Sequence, residues 1–240
     1  MPLPDVLIYI FLLSGAILSF TTRKLTLAGA ITGALVGLLI YKGAGYGGII
    51  MLALFFVAGS WSTAWQLQQK IALGTAEQNK GRRTAGQVLA NGGIAALLGA
   101  IAWYMPSQAP LMQIMIAGSL ASATADTLSS ELGTVYGRAF YHILTFKKDQ
   151  RGLDGVVSLE GTLIGAAGAA LIALIYAFSF GLGVAVSFII IAGIVGNLAD
   201  SVLGAALERK RLLGNNMVNM LNTLTGALIC LLLMKLFRAS

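Results

Sequence analysis

Apolar runs of about 20 residues, recurring along the chain, restrict its fold more than any other feature. A run of that length crosses the hydrocarbon core of a bilayer as a helix, whereas a barrel strand needs about 10 residues. Eight runs are read, at 4–20, 25–41, 46–68, 84–104, 111–136, 158–178, 183–207 and 217–237. Within a bilayer the chain must satisfy its own backbone N–H and C=O groups, and helices of this length do so. Composition agrees: 10% of residues are charged, against about 25% in soluble domains. The 30 glycines suit close helix packing in a membrane. The expected fold is all-α, a polytopic transmembrane helical bundle forming one integral membrane domain over 1–240.

Charge sets the expected orientation. Arg23, Lys24, Lys70, Lys80, Arg82, Arg83, Arg138, Lys147, Lys148, Arg151, Arg209, Lys210 and Arg211 fall between alternate pairs of runs. Lys42, Lys235 and Arg238 fall on the other side. Basic residues collect in cytoplasmic loops, so both termini are expected outside, with 69–83 and 137–157 as the long cytoplasmic loops of a cell-membrane protein. No basic segment precedes the first run, and Arg23 and Lys24 follow it. That pattern fits an outward-starting anchor better than a cleaved signal peptide. The net charge of +7 then reflects topology, and no nucleic-acid polymer is implied. The single cysteine, Cys230, and single histidine, His142, form no zinc-ligand cluster; His142 reads as a loop residue.

An internal echo accompanies this topology. Ala125-Asp126-Thr127-Leu128 in the fifth run resembles Ala199-Asp200-Ser201-Val202 in the seventh, and acidic residues follow, Glu131 and Glu208. Both runs are expected to point inward, so runs five–six and seven–eight form a candidate parallel repeat, with both aspartates at similar depth.

Four polar segments converge on the cytoplasmic side. In Lys80-Gly81-Arg82-Arg83-Thr84-Ala85-Gly86-Gln87, Thr84 and Gln87 have capping-box spacing. A helix start beside Arg82 and Arg83 suits phosphate. A plain anchor would explain the arginines but not Gln87 and Asn91, one turn apart and entering the membrane on one face. In Ser122–Glu131, Asp126 and Ser130 share a face, and an intramembrane carboxylate marks a site unless it serves an interhelical hydrogen bond. Arg151–Thr162 is a glycine-punctuated loop in which Ser158 caps the next helix. Its Asp154 and Glu160 suit Mg²⁺, which takes a few carboxylates beside phosphate oxygens. Between the last two runs, Asn215, Asn219 and Asn222 fall on one helical stripe near Asp200 and Glu208. A ladder of amides at the start of a membrane helix is hard to explain by lipid packing and points to a site, with amide contacts between helices as the alternative.

Two other patterns carry no chemistry. Gly43-Ala44-Gly45-Tyr46-Gly47-Gly48 matches G-x-G-x-x-G, but it follows a membrane run on the outer side. Gly29, Gly33 and Gly37 read as a helix-packing face. What remains is a cytosol-facing set of carboxylates, arginines, amides and helix starts. It suits metal-bound polyphosphate and phosphoryl transfer, which depends on positioning and charge stabilisation. At inner-leaflet depth a phosphorylated lipid is also admissible.

GRRTAGQVLANGG, ASATADTLSSELG, GLDGVVSLEGTLIGAAGA and the Asp200/Asn219 region resemble the integral membrane family that contains phytyl-phosphate kinase of plastids and cyanobacteria and animal transmembrane protein 19. The resemblance covers most of the chain in order. It implies conversion of an isoprenyl or polyprenyl monophosphate to the diphosphate, with CTP or another nucleoside triphosphate as donor and Mg²⁺ as cofactor. It also extends distantly to phytol and dolichol kinases and lipid cytidylyltransferases. Residues and resemblance together make Asp126, Asp200 and Glu131 the expected catalytic residues, with Asp126 and Asp200 binding metal and Glu131, Asp154 and Glu160 in support. Arg82 and Arg83 grip phosphates. Gln87, Asn91, Ser130, Ser158, Gly161, Asn219 and Asn222 contact substrate or nucleotide. Val156 departs from the pattern, where a second glycine after Gly155 is expected. Two rival readings are a cytidylyltransferase-like enzyme and a transporter or flippase for a phosphorylated lipid or small anion. Expected partners are the bilayer, the isoprenoid phosphate and the nucleotide; homo-oligomerisation stays open.

Overall fold

A computed structural model describes residues 3–76 and 81–239. Lys80 and the side chain of Arg238, both counted above, lie outside what is described. The chain is a bundle of α1 (Leu3–Thr21), α2 (Leu27–Ala64), α3 (Leu67–Ala72), α4 (Ala85–Tyr104), α5 (Ala109–Tyr136), α6 (Leu159–Phe180), α7 (Val184–Leu203) and α8 (Asn215–Ala239). A π turn, Gly204–Glu208, ends α7. Two short strands, β1 (Tyr141–His142) and β2 (Val156–Val157), pair antiparallel within the α5–α6 loop. Among the described residues five helices are long and apolar enough to cross a membrane: α2, α4, α6, α7 with its π turn, and α8.

Extended as one rod, α2 would be roughly 57 Å long, well beyond a bilayer core. Gly45 breaks it, with φ 58° and ψ −149°, a region almost confined to glycine. The two arms then fold back on each other. A Cβ added to Gly37 would lie 3.6 Å from Leu52 and 3.9 Å from Ile49. The break falls between the expected runs at 25–41 and 46–68, within the glycine cluster set aside as a nucleotide loop.

α5 is the central helix. Every residue from Ile114 to Ala125 is buried, and α2, α4, α6, α7 and α8 all pack against it. It is not among the five apolar helices because Ser119, Ser122, Thr124 and Asp126 interrupt its interior. Enclosure by protein makes that tolerable where the polar groups find partners, as Ser122 and Thr124 do; the buried Ser119 Oγ has none among the described residues. Thr124 donates to the Leu120 carbonyl at 2.7 Å, and Ser122 donates to Asn222 of α8. Small residues permit the close crossings: a Cβ on Gly118 would meet Cys230, and one on Gly133 would lie 2.9 Å from Gly161.

Contacts between α5 and α7 keep a nearly constant offset in sequence. A Cβ on Gly193 would lie 3.2 Å from that of Ala121, and one on Gly196 would lie 2.7 Å from that of Ser122. Further along, Asp126 meets Asp200. The two helices therefore run the same way. α6 and α8 run against α5, as Gly165 beside Ala125 and Gly226 beside Gly118 require. One end of the bundle thus collects the starts of α2, α4, α6 and α8 and the ends of α5 and α7. Thr26 caps α2, Thr84 and Gln87 form the expected capping box on α4, and Ser158 caps α6. These caps satisfy the first N–H groups of each helix and aim the positive dipole ends at the loop end.

Candidate functional site

A cavity of about 940 Å³ opens at that loop end. Helix starts, the polar face of α5, the α5–α6 loop and the π turn all contribute to its wall. Asp126 and Asp200 sit in it, brought into hydrogen-bond contact by the parallel packing of α5 and α7. Two carboxylates this close repel unless a proton or a cation lies between them. Asn222, fully buried on α8, supports the pair from behind, donating to Asp200 Oδ2 at 3.4 Å and accepting from Ser122. Asn219, one turn earlier, lines the cavity and donates to Asn215 at 3.3 Å.

Asp154 and Glu208 extend the acidic side, close enough to interact electrostatically with each other and with Asp200. In a regular helix Glu208 would lie about 80° around the axis from Asp200. The π turn alters that register, and such turns are frequent at functional sites. Glu208 lines the cavity beside Asn215, to which it is hydrogen-bonded.

The opposite wall is cationic and amide-rich. Arg83, 9% exposed, lines the cavity with its guanidinium 5.3 Å from the Phe55 ring. Its backbone N–H donates to Lys24 and its carbonyl accepts from Thr26, which locks the start of α4 to the start of α2. Gln87 lines the cavity while its side chain accepts from the Thr84 N–H at 2.8 Å. Asn91 follows one turn deeper. Its amide nitrogen donates to the Gln87 carbonyl at 3.0 Å, and its buried Oδ1 has no partner among the described residues.

Several expected residues take other positions. Arg82 turns from the cavity toward the α1–α2 junction, donating to the Leu25 carbonyl at 3.1 Å and lying over Phe20. Glu160 lies outside the cavity lining, accepting from the Arg138 N–H at 3.3 Å. Gly161 is a packing residue against Gly133. Ser158 and Ser130 do line the cavity, though Ser158 is engaged as a cap and Ser130 donates to the Asp126 carbonyl. Glu131 lines it too, held by Lys70. Val156 lies in β2, paired with His142, so the missing glycine is a strand position. His142 remains in the loop, its Nδ1 accepting from the Leu144 N–H.

Sequence reading missed Lys70 as a site-supporting group, because it counted only as one of many loop charges. Thr75, Thr134 and Ser201 also line the cavity, and no spacing signal singles them out. The glycine face on α2 divides in space. Gly29 packs on α4 and Gly37 on α1, while Gly33 meets only Leu25, at 3.7 Å.

Among the described residues no three His, Cys, Asp or Glu side chains form a ready metal cage. Mg²⁺ does not need one, since it is commonly held by one or two carboxylates together with substrate phosphates and water. The Asp126–Asp200 pair facing an open polar cavity fits that mode. The cavity volume lies within the roughly 300–1,000 Å³ of small-molecule sites.

Comparison with known proteins follows the same line. The family model described as integral membrane protein DUF92 matches residues 10–227. Protein VTE6, chloroplastic, of Arabidopsis thaliana is 31% identical over 216 residues, covering 87% of this chain and 65% of that protein. The chain thus spans just under two thirds of that relative. Uncharacterized membrane protein MJ0933 of Methanocaldococcus jannaschii is 35% identical over 212 residues, 88% of this chain and 87% of the relative. Uncharacterized membrane protein sll0875 of Synechocystis is 34% identical over 202 residues, 82% of this chain and 77% of the relative. No solved structure matches the chain.

Proposed function

The chain belongs to the integral membrane protein DUF92 family, and from that premise we propose that it is a nucleotide-dependent kinase converting a prenyl monophosphate to the diphosphate at the cytoplasmic face. The observation that carries this reading is the Asp126–Asp200 pair sharing one cavity with Arg83 and Asn219. The similarity to protein VTE6 and the four motif segments add to it.

The topology proposed with it has eight crossings: α1, the two arms of α2, α4, α5, α6, α7 and α8. Both termini then lie outside, and the cavity faces the cytosol. Support comes from Arg83, Arg151, Arg209 and Lys210 at the loop end, as the positive-inside bias requires. The kinship of the Asp126 and Asp200 segments is proposed as a parallel repeat, supported by the matched direction of α5 and α7.

In the reaction a phosphate oxygen of the prenyl phosphate attacks the terminal phosphorus of the nucleoside triphosphate. A new P–O bond forms, the terminal anhydride bond breaks, and a nucleoside diphosphate leaves. A phosphate oxygen is already anionic, so no strong base is needed. Arg83 offsets charge on the phosphates, and Asn219 orients one of them. Asp126 and Asp200, with Asp154 at the mouth, would hold Mg²⁺, whose chemistry is to neutralise and align the nucleotide phosphates. CTP is the proposed donor on the family resemblance.

Beyond the cavity the bundle interior is filled by Ile116, Leu120, Ile172 and Ile189, all 0% exposed. That filling favours a one-sided site over a transport path. The test is purified protein with Mg²⁺, a panel of prenyl monophosphates and each nucleoside triphosphate, read by mass spectrometry. Prenyl diphosphate with release of nucleoside diphosphate is expected. Pyrophosphate release would indicate a cytidylyltransferase, and no turnover with any pair would overturn the kinase reading.

A further inference from the structure

Beside the polar cavity lies an apolar groove of about 170 Å³ between α1, both arms of α2 and the first turns of α4. Phe11, Leu12, Gly33, Leu52 and Phe56 belong to its wall. Phe11 is 52% exposed on the outer surface of the bundle, so the groove reaches the side that lipid would cover. Its other end is polar: Arg83, Gln87 and Asn91 line both the groove and the site cavity. One thin wall therefore divides a space suited to hydrocarbon from a space suited to phosphate.

Asn91 supplies an independent sign of a ligand at that wall. It is 8% exposed, and its Oδ1 lacks a hydrogen-bond partner among the described residues. The amide cannot flip to solve this, because its nitrogen already donates to the Gln87 carbonyl, which accepts only. A buried acceptor left unpaired is costly and uncommon. A group that carries a hydrogen would complete it, and a singly protonated phosphate monoester presents one P–OH beside its anionic oxygens. Arg83 faces the same wall with the opposite charge to those oxygens.

We propose that this groove receives the proximal isoprene units of the prenyl phosphate, with the phosphate at Arg83 and Asn91 and the rest of the chain leaving between α1 and α2 into the bilayer. The proposal rests on the prenyl-phosphate kinase reading for the identity of the lipid. Gly33 becomes the residue that sets how much chain enters. It lies one turn along α2 from Gly29, whose neighbour is the Arg83 carbonyl, and a Cβ there would meet only Leu25, at 3.7 Å. A larger side chain at this position is accommodated by the backbone and projects into the groove.

The experiment uses the full-length protein in lipid nanodiscs with a diazirine-bearing prenyl monophosphate, mapping crosslinks by mass spectrometry. Labels on α1, the arms of α2 or the start of α4 are expected, competed by geranylgeranyl monophosphate but not by geranylgeraniol or phosphatidic acid. In Gly33→Leu, labelling and turnover of geranylgeranyl monophosphate should fall on the order of tenfold or more, with dimethylallyl monophosphate much less affected. Labels elsewhere, labelling that nothing competes, competition by phosphatidic acid, or an unchanged chain-length profile in Gly33→Leu would overturn the groove assignment. Groove labelling without diphosphate formation by any nucleotide would remove the kinase reading and leave the groove. Diphosphate formation with an unchanged chain-length profile would do the reverse.

Discussion

The Lys70 ammonium lies 2.5 Å from Glu131 Oε2, with the lysine side chain 1% exposed and the glutamate 13%. The same ammonium donates to the Ser62 carbonyl at 2.6 Å. Three elements therefore meet at one charge: the end of α2, the short α3 and the cavity face of α5. Removing one partner of a buried pair leaves an uncompensated charge, at a cost of about 3–5 kcal/mol, whereas replacing both by apolar groups is often neutral. Lys70→Met should lower the unfolding temperature sharply, and Lys70→Met combined with Glu131→Leu should recover much of it. Thermal unfolding in detergent checks this; equal losses for the single and double variants would show that the pair is not the cause.

Asp126 and Asp200 meet through helix packing, and the further charges that act on them are also acidic, Glu208 on Asp126 and Asp154 on Asp200. If the pair holds Mg²⁺ for phosphoryl transfer, Asp126→Asn should abolish product formation, a loss on the order of a hundredfold or more for an electrostatic group at the reacting centre. The fold should survive, because an amide removes the repulsion between two carboxylates. Asp200→Asn should raise the Mg²⁺ concentration needed for half-maximal rate. Initial rates across a Mg²⁺ series, beside the elution profile of each variant, measure both. Full activity in Asp126→Asn would sink its assignment.

Much of this site was legible in the sequence because membrane burial makes polar residues conspicuous. Asp126, Asp200, Asn91 and Asn219 stand out against apolar neighbours, and each lines the cavity. Thr84 with Gln87, and Ser158, announce helix starts by local chemistry, which needs no tertiary information. The failures have tertiary causes. Arg82 and Arg83 are adjacent, but the turn into α4 sends Arg83 to the cavity and Arg82 to Leu25. Glu160 and Asp154 share a loop and its helix start, yet helix geometry turns Glu160 toward Arg138. The π turn that brings Glu208 to the cavity packs against Gly155 and Asp154, and no periodicity in 204–208 announces it. Lys70 falls within the expected basic loop 69–83, whose charge explained itself too easily, whereas the structure places it on α3.

The orphaned Asn91 Oδ1 separates stability from binding. An unsatisfied buried polar atom costs about 1–3 kcal/mol, so the protein without ligand carries a defect that a ligand would mend. Asn91→Leu, of similar volume, removes the defect along with one hydrogen bond to Gln87. The variant should keep or raise the unfolding temperature while its affinity for prenyl monophosphate falls. Melting curves with and without added prenyl monophosphate read both quantities. A destabilised variant that still binds normally would place Asn91 among structural residues.

Asp149 and Arg209 join the α5–α6 loop to the segment after the π turn, at 2.9 Å. The loop carries Asp154 to the cavity mouth, so this pair acts as a clamp on it. The hydrogen bond from Arg209 holds the Asp149 carboxyl below its usual range, with the Gln150 N–H adding to the effect. A depressed folded-state value means that the clamp's contribution is present above the unfolded range, about 3.9 for Asp, and disappears as pH falls through the depressed value. At neutral pH the clamp is closed, and pH changes around neutrality should leave it intact. Salt is the effective lever, because a pair open to water is screened. Arg209→Ala should speed tryptic cleavage at the exposed Lys147–Lys148 segment and raise KM for the nucleotide with little change in unfolding temperature, since exposed pairs add little to global stability. High salt should bring the wild-type cleavage rate toward that of the variant. Cleavage time courses at low and high salt decide it: identical rates for the two proteins at low salt would show that the pair does not hold the loop.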